Sequence, residues 1–247
     1  MAIRLVIFDA LQTLIAFRLP VYVQYAQTFE PHLGPLDPDA IKKSFKTALK
    51  QLQVEQPAYQ SGAEGWWGEV IRRTAVGAGA DHNAVGSSLP ELTRRLLHRF
   101  SSREGYRAFD DALPTLQRLR EAGIRTGVVS NADARMHTVL VDLGLASYLD
   151  EILLSDEERM EKPAREIFLR ACARIGVRPN EALHVGDELQ ADYHGACGSG
   201  LSALLVRRPG PDGMDENKEP DEDLTGVQTV PGLAHVVEWV RQREAEV

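Results

Sequence analysis

The feature that most constrains this chain is a set of short, apolar, β-branched runs, each of them too brief for a helix and several of them stopping at a polar residue. Residues 3–8 (IRLVIF) run into Asp9, 125–129 (RTGVV) into Ser130 and Asn131, and 182–185 (ALHV) into Gly186 and Asp187, while further runs occupy 151–154 (EILL) and 201–206 (LSALLV). Runs of this length without polar alternation suit strands buried on both faces of a parallel sheet. Between them lie helical patterns: 110–122 sets Leu113, Leu116 and Leu119 on neighbouring turns before Gly123, and 164–175 sets Ile167, Phe168, Ala171 and Ile175 on one face. Strand and helix in alternation predict a doubly wound α/β domain with right-handed crossovers. Ligands of such sheets lie beyond the carboxyl ends of the strands, so the polar residues closing each run are the candidate site.

The first two runs break this rhythm. Asp9 and Ser130 are about 120 residues apart, whereas a βαβ unit needs only about 30. The surplus reads as helical: Ile41, Phe45, Leu49 and Leu52 recur at helical spacing, Trp66, Trp67, Val70 and Ile71 form a second apolar face, and Leu89, Leu92, Leu96, Leu97 and Phe100 a third. The expected organisation is a parallel-sheet, Rossmann-like core made of 1–16 and 108–247, with a helical cap over 17–107. Trp66 and Trp67 fit packing within that cap better than contact with a ligand.

Composition removes several classes of function. Hydrophobic residues make up 43% and charged residues 26% of the 247, an ordinary globular balance. The formal net charge of -8 does not favour a nucleic-acid partner. Much of that charge sits in 212–223, where seven acids face Lys218 alone among Pro and Gly; it reads as a solvated loop tethering the last helix, whose deletion should leave activity unchanged. No apolar run approaches the ~20 residues needed to cross a bilayer, and residues 1–4 open no secretory signal. The two cysteines, Cys172 and Cys197, read as core packing in a reduced, cytoplasmic protein. Oligomeric state stays open.

Four segments carry the chemistry. FDALQTL holds Asp9 and Thr13, VVSNAD holds Ser130 and Asn131, Lys162 stands before Pro163 and a helix, and HVGDELQAD holds Gly186, Asp187 and Asp192. Each alone has an ordinary reading: Asp9 as a cap, Ser130 and Asn131 as caps of the following helix, Lys162 as a surface lysine, Asp187 as a turn residue. In this order and at these strand ends they resemble the motifs of the haloacid dehalogenase-like (HAD) hydrolase superfamily: D-x-D-x-T, then S or T with N, then K-P, then G-D with further acids. The resemblance extends over the whole α/β domain, and the insertion after the first motif is where members with helical caps carry them.

The resemblance implies a Mg²⁺-dependent phosphatase of small molecules. Asp9, Thr13 and Lys162 would be the catalytic residues, with Asp9 attacking phosphorus to give an aspartyl phosphate and Lys162 stabilising negative charge. Mg²⁺ would be held by Asp9, the backbone carbonyl of Leu11 and Asp187. Ser130 and Asn131, at a helix N-terminus, would bind phosphoryl oxygens. Asp192 would ligate through water, orient Lys162, or simply lie on a helix face. The partner would be a small phosphate ester or another anionic ligand.

The sequence departs from the motif at Leu11, where the family has a second Asp that protonates the leaving group; Gln12 is no acid either. Losing a positioned acid-base group costs about 10² to 10⁴ in rate. Three readings follow. The first is a weak or atypical phosphohydrolase, with Asp133 or Glu64 as candidate replacement acids, against a helix cap and a solvated side chain. The second is a catalytically silent fold kept for binding or regulation. The third and least favoured is a 2-haloacid dehalogenase, which lacks the second Asp but would meet a repelling carboxylate at Asp187. His98, His137 and His184 have no metal-ligand spacing and receive no role.

Overall fold

The computed structural model describes residues 2–56, 63–214, 216, 218 and 221–245. The chain divides into two compact units, Met1–Ala16 with Arg107–Val247, and Phe17–Tyr106.

The first unit is built on six strands: β1 (Leu5–Phe8), β4 (Arg125–Ser130), β5 (Glu151–Leu154), β6 (Ala182–Gly186), β7 (Ser202–Val206) and β8 (Thr229–Val230), in the order β5-β4-β1-β6-β7-β8. Every pairing is parallel, as the α/β class expected from the apolar runs requires. All four residues of β1 are buried, with β4 on one side and β6 on the other. Helices α5 (Ala112–Glu121), α6 (Arg135–Asp142), α7 (Ser155–Glu158), α8 (Arg165–Ile175), α9 (Gly195–Gly198) and α10 (Ala234–Ala245) supply the crossovers and flanks. α8 lays Ile167, Phe168, Ala171 and Cys172 into a core that includes Leu5, Ile7, Val129 and Leu153, Ile167 and Phe168 each contributing about 1.5–3 kcal/mol through burial.

The register positions the site. Phe8 pairs with Val128 and with Val185, so Asp9 emerges at the sheet's carboxyl end beside Gly186, with Ser130 and Asp187 one residue further out. The Asp9 N–H still donates to the Val185 carbonyl at 2.9 Å, which carries the ladder up to the carboxylate.

The second unit holds α1 (Val21–Leu33), α2 (Pro38–Glu55), α3 (Ala63–Gly77) and α4 (His82–Arg99). Asp37 and Asp81 accept from N–H groups in the first turns of α2 and α4, satisfying donors that a helix start leaves open. Its core gathers Tyr25, Phe29, Ile41, Ile71, Val85 and Leu92, and a second cluster gathers Leu52, Trp66 and Val70. Trp66 is buried, donates from Nε1 to the Gln56 carbonyl at 3.0 Å, and meets Trp67 edge-on, so this pair works as packing. Strands β2 (Ile15–Phe17) and β3 (Tyr106–Ala108), a separate ribbon, have no counterpart in the sequence reading.

Two expectations need correction. Cys172 is buried, and burial pushes its thiol up to about 11, but Cys197 is exposed rather than core. The acidic segment is not simply solvated: Glu216 is buried, because its carboxylate accepts from the Arg208 N–H. Asp215, Glu219 and Pro220 of that segment lie outside the described residues. Among the described residues, no helix is long and apolar enough to cross a membrane.

Candidate functional site

Four segments distant in sequence meet at the carboxyl end of the sheet. Lys162 is 5% exposed, and its Nζ donates to Asp9 Oδ1 and to Asp192 Oδ1, each at 2.6 Å. Asp187, fully buried just past β6, completes a set in which carboxylate oxygens of Asp9, Asp187 and Asp192 lie within 4.8 Å of one another. Three buried carboxyl groups thus surround a single ammonium in a site removed from water. An all-oxygen donor set of this kind fits a hard divalent cation such as Mg²⁺.

The protonation energetics follow from this crowding. Burial pushes the Asp9 carboxyl above its ordinary value; Lys162 opposes that rise, Asp192 adds to it, and a hydrogen bond from Ser130 also opposes it. Burial alone would lower the Lys162 ammonium, but Asp192 and Asp9 outweigh it and hold the lysine firmly charged. Burial likewise works against ionised Asp192, yet Lys162 and His184 overcome it and keep this carboxyl low.

The placement of Asp192 depends on two local features. It lies in a π-helical turn, Leu189–His194, whose extra residue per turn marks a departure from ordinary helix geometry. It also lies directly over Gly186, where a Cβ would come within 2.1 Å of the Asp192 Cγ. The other Asp192 oxygen accepts from the Glu188 N–H at 3.0 Å. Asp192 therefore faces the site and is no exposed helix-face acid.

Asn131 and Ser130 have divided tasks. The Asn131 amide accepts from the Lys162 N–H at 2.8 Å and donates to the Lys162 carbonyl at 3.0 Å, so its side chain fixes the lysine's backbone. Ser130 is the last residue of β4, and α6 begins only at Arg135, so the pair stands before a loop and not at the helix start the sequence suggested. Asp133 accepts from the Arg135 N–H, Nε and Nη2, so both its oxygens are committed to Arg135 and it is a poor replacement acid. Glu64 is exposed in the helical unit.

The loop after β1 is tight. Leu11 is partly exposed and bridges to Ile15, while Gln12 is buried with φ of 58°, in the left-handed region that costs a non-glycine residue about 1–3 kcal/mol. Thr13 is fully buried, and its hydroxyl has no hydrogen-bond partner among the described residues.

Sequence reasoning missed His184. It sits inside β6 with no exposure, edge-on to Phe168, and its Nε2 donates to Asp192 Oδ1 at 2.8 Å. The available signal was a lone polar residue within a fully buried strand, which must find a partner. Arg207 and Arg208 also escaped notice; their guanidinium groups reach the carbonyls of Asp187 and Thr13.

Comparison with known proteins agrees with this arrangement. Residues 3–198 match the haloacid dehalogenase-like hydrolase family. The chain is 31% identical over 241 residues to haloacid dehalogenase-like hydrolase domain-containing protein 3 of Bos taurus, covering 95% of this chain and 92% of that one. It is 37% identical over 116 residues to the glyceraldehyde 3-phosphate phosphatase of Methanopyrus kandleri, covering 47% of this chain and 48% of that one. The crystal structure of the 2-haloacid dehalogenase from Pseudomonas syringae pv. Tomato DC3000 superposes with a TM-score of 0.66 at 25% identity, covering 98% of this chain and 99% of that one.

Proposed function

Because the chain belongs to the haloacid dehalogenase-like hydrolase family, we propose that it is a Mg²⁺-dependent phosphohydrolase of a small phosphorylated molecule, working through an aspartyl phosphate on Asp9. The observation that carries this reading is the buried cluster of three carboxyl groups, Asp9, Asp187 and Asp192, around the single ammonium of Lys162. Folding alone gains nothing from such a cluster. A dehalogenase would bring a carboxylate substrate against it, which disfavours that chemistry despite the shared fold. The phosphatase from Methanopyrus kandleri, alike over about half its length, points the same way.

The Asp9 carboxylate attacks phosphorus, an Oδ–P bond forms, and the ester P–O bond breaks; water then attacks the phosphoryl group, releasing phosphate and regenerating the carboxylate. Lys162, locked by Asp192 and by the Asn131 amide, keeps its ammonium on the Asp9 carboxylate as charge builds. Asp9, the Leu11 carbonyl and Asp187 would hold Mg²⁺, which would supply Lewis-acid neutralisation of negative charge on the substrate. Ser130 and Thr13 supply hydroxyls at the edge of this cluster. With leucine at position 11 and Asp133 committed to Arg135, the departing oxygen takes its proton from solvent, so esters with acidic leaving groups are favoured.

Leu11 and the commitment of Asp133 also support a second reading, a binding protein without turnover. Release of p-nitrophenol from its phosphate ester, with Mg²⁺ and with chelator, separates the two. Turnover that needs Mg²⁺ and is lost in Asp9→Asn supports the enzyme; no turnover at high protein concentration supports the binder.

A further inference from the structure

We propose that Glu216 and Glu222, two acids of the segment 212–223, are positioning residues of the site, acting through Arg208 and Arg207 on the backbone of Thr13 and Asp187. Their role in turnover rests on the phosphohydrolase reading; their role in shaping the cation site does not.

β7 ends at Val206, and the two arginines that follow hold different loops. Arg207 Nη1 donates to the Asp187 carbonyl at 2.5 Å, and its Nη2 donates to both carboxylate oxygens of Glu222 at 2.7 and 2.8 Å. Arg208 Nη2 donates to the Thr13 carbonyl at 3.1 Å, while Nη1 and Nη2 grip Asp111 at 3.0 and 2.9 Å and the guanidinium lies 3.8 Å from the Phe109 ring centroid. A guanidinium is planar, so a carboxylate on one nitrogen and a second acceptor on another fix its orientation as well as its charge. Glu222 thereby aims Arg207 at Asp187, and Glu216, which accepts from the Arg208 N–H, ties the segment to the base of the same pair.

The segment is built for this closure. The Glu216 side chain has no exposure and that of Glu222 only 9%, unlike a solvated tether. Gly213 approaches so closely that a Cβ there would stand 1.9 Å from the Arg208 carbonyl oxygen, and Lys218 donates to the Gly213 carbonyl at 3.0 Å. Two adjacent arginines therefore hold a carbonyl in the loop after β1 and another in the loop after β6, the loops that carry Asp9 and Asp187. Holding the backbone of these two loops limits displacement of the carboxylates they carry, and a misplacement of about 1 Å in such a site costs about 10²-fold in rate. This reverses the expectation that deleting the segment would be neutral.

The test compares wild type with Glu222→Gln, Arg207→Lys and Glu181→Gln. The last breaks an ion pair with Arg178 at the far end of β6 and controls for loss of a salt bridge as such. Mn²⁺ affinity is read by calorimetric titration, and kcat and KM with p-nitrophenyl phosphate. Glu222→Gln and Arg207→Lys should each weaken Mn²⁺ binding and lower kcat by about tenfold, with KM nearly unchanged and circular dichroism native. Glu181→Gln should move neither. Unchanged affinity and kcat in Glu222→Gln overturns the proposal, as does an equal loss in Glu181→Gln. If wild type binds Mn²⁺ without hydrolysing the ester and Glu222→Gln still weakens binding, the phosphohydrolase reading fails and the positioning role stands. Should Glu222→Gln fold poorly, Glu222→Asp, which keeps the charge but shortens the reach, gives the same contrast.

Discussion

In the helical unit, Glu69 accepts from Arg72 and Arg73, and Glu91 from Arg94 and Arg95, each within one turn of its own helix and open to solvent. In the α/β unit, Asp9, Asp187 and Asp192 crowd around Lys162 from separate segments, all buried and with three carboxyl groups to one ammonium. The first arrangement is local and cheap; any i, i+4 pair could replace it for a few tenths of a kcal/mol. The second draws its members from separate segments, and burial there works against Asp9 as a carboxylate. Where charge is kept at a cost to stability, chemistry is the better explanation, and the two units should therefore respond to neutralisation with opposite signs.

The largest effect expected is from Asp9→Asn. Hydrolysis should fall to background while the melting temperature rises, because the substitution removes a carboxylate that burial disfavours. The sign follows from Asp9: its folded pKa lies above the ordinary 3.8, so ionising it costs stability as pH rises through the raised value. Thermal melts at pH 7 without divalent cation check this, and a lower melting temperature in the mutant would break the contrast between the units.

Leu11→Asp comes next. Restoring an acid at that position should raise turnover of alkyl phosphates by about 10² or more, and of p-nitrophenyl phosphate far less, since only the poor leaving group needs the proton. The ratio of the two rates is the measurement, and an equal rise for both esters would show that the new carboxylate acts on the cation and not on the leaving group. Gly186→Ala should cost less, about 10- to 100-fold in rate, by pushing Asp192 off the strand end and loosening Lys162.

How far the sequence could have led depends on whether a contact is local or made by topology. Strands β5 and β7 were legible because their residues are apolar without interruption, and α8 because Ile167, Phe168 and Ala171 recur at helical spacing. Asp9, Lys162 and Asp187 were legible because each closes or follows a recognisable element. His184 was not, since its partner Asp192 reaches it only through a π-helical turn that no periodicity announces. Arg207 and Arg208 were hidden for a different reason: their targets lie on loops brought alongside by the strand order β1-β6-β7. The acidic segment looked solvated because composition reports average charge, whereas Glu216 meets the Arg208 N–H and Glu222 the Arg207 guanidinium.

The smallest effect belongs to the helical unit. Hydrogen bonds from Arg72, and then from Arg73, bring the Glu69 carboxyl down from 4.5 to about 2. A carboxyl lowered by folding contributes stability that is complete above pH 4.5 and fades as pH falls through about 2. Glu69→Gln should therefore lose less than about 1 kcal/mol at pH 7, the pair being solvent-screened, and the difference from wild type should shrink toward zero as pH approaches 2. Urea unfolding across that range measures it. The slope matters more than the size, because Glu69 gains from being ionised and Asp9 pays for it: added acid should weaken the helical unit's clasp while relieving the strand-end cluster, and only a site kept for chemistry predicts that divergence within one chain.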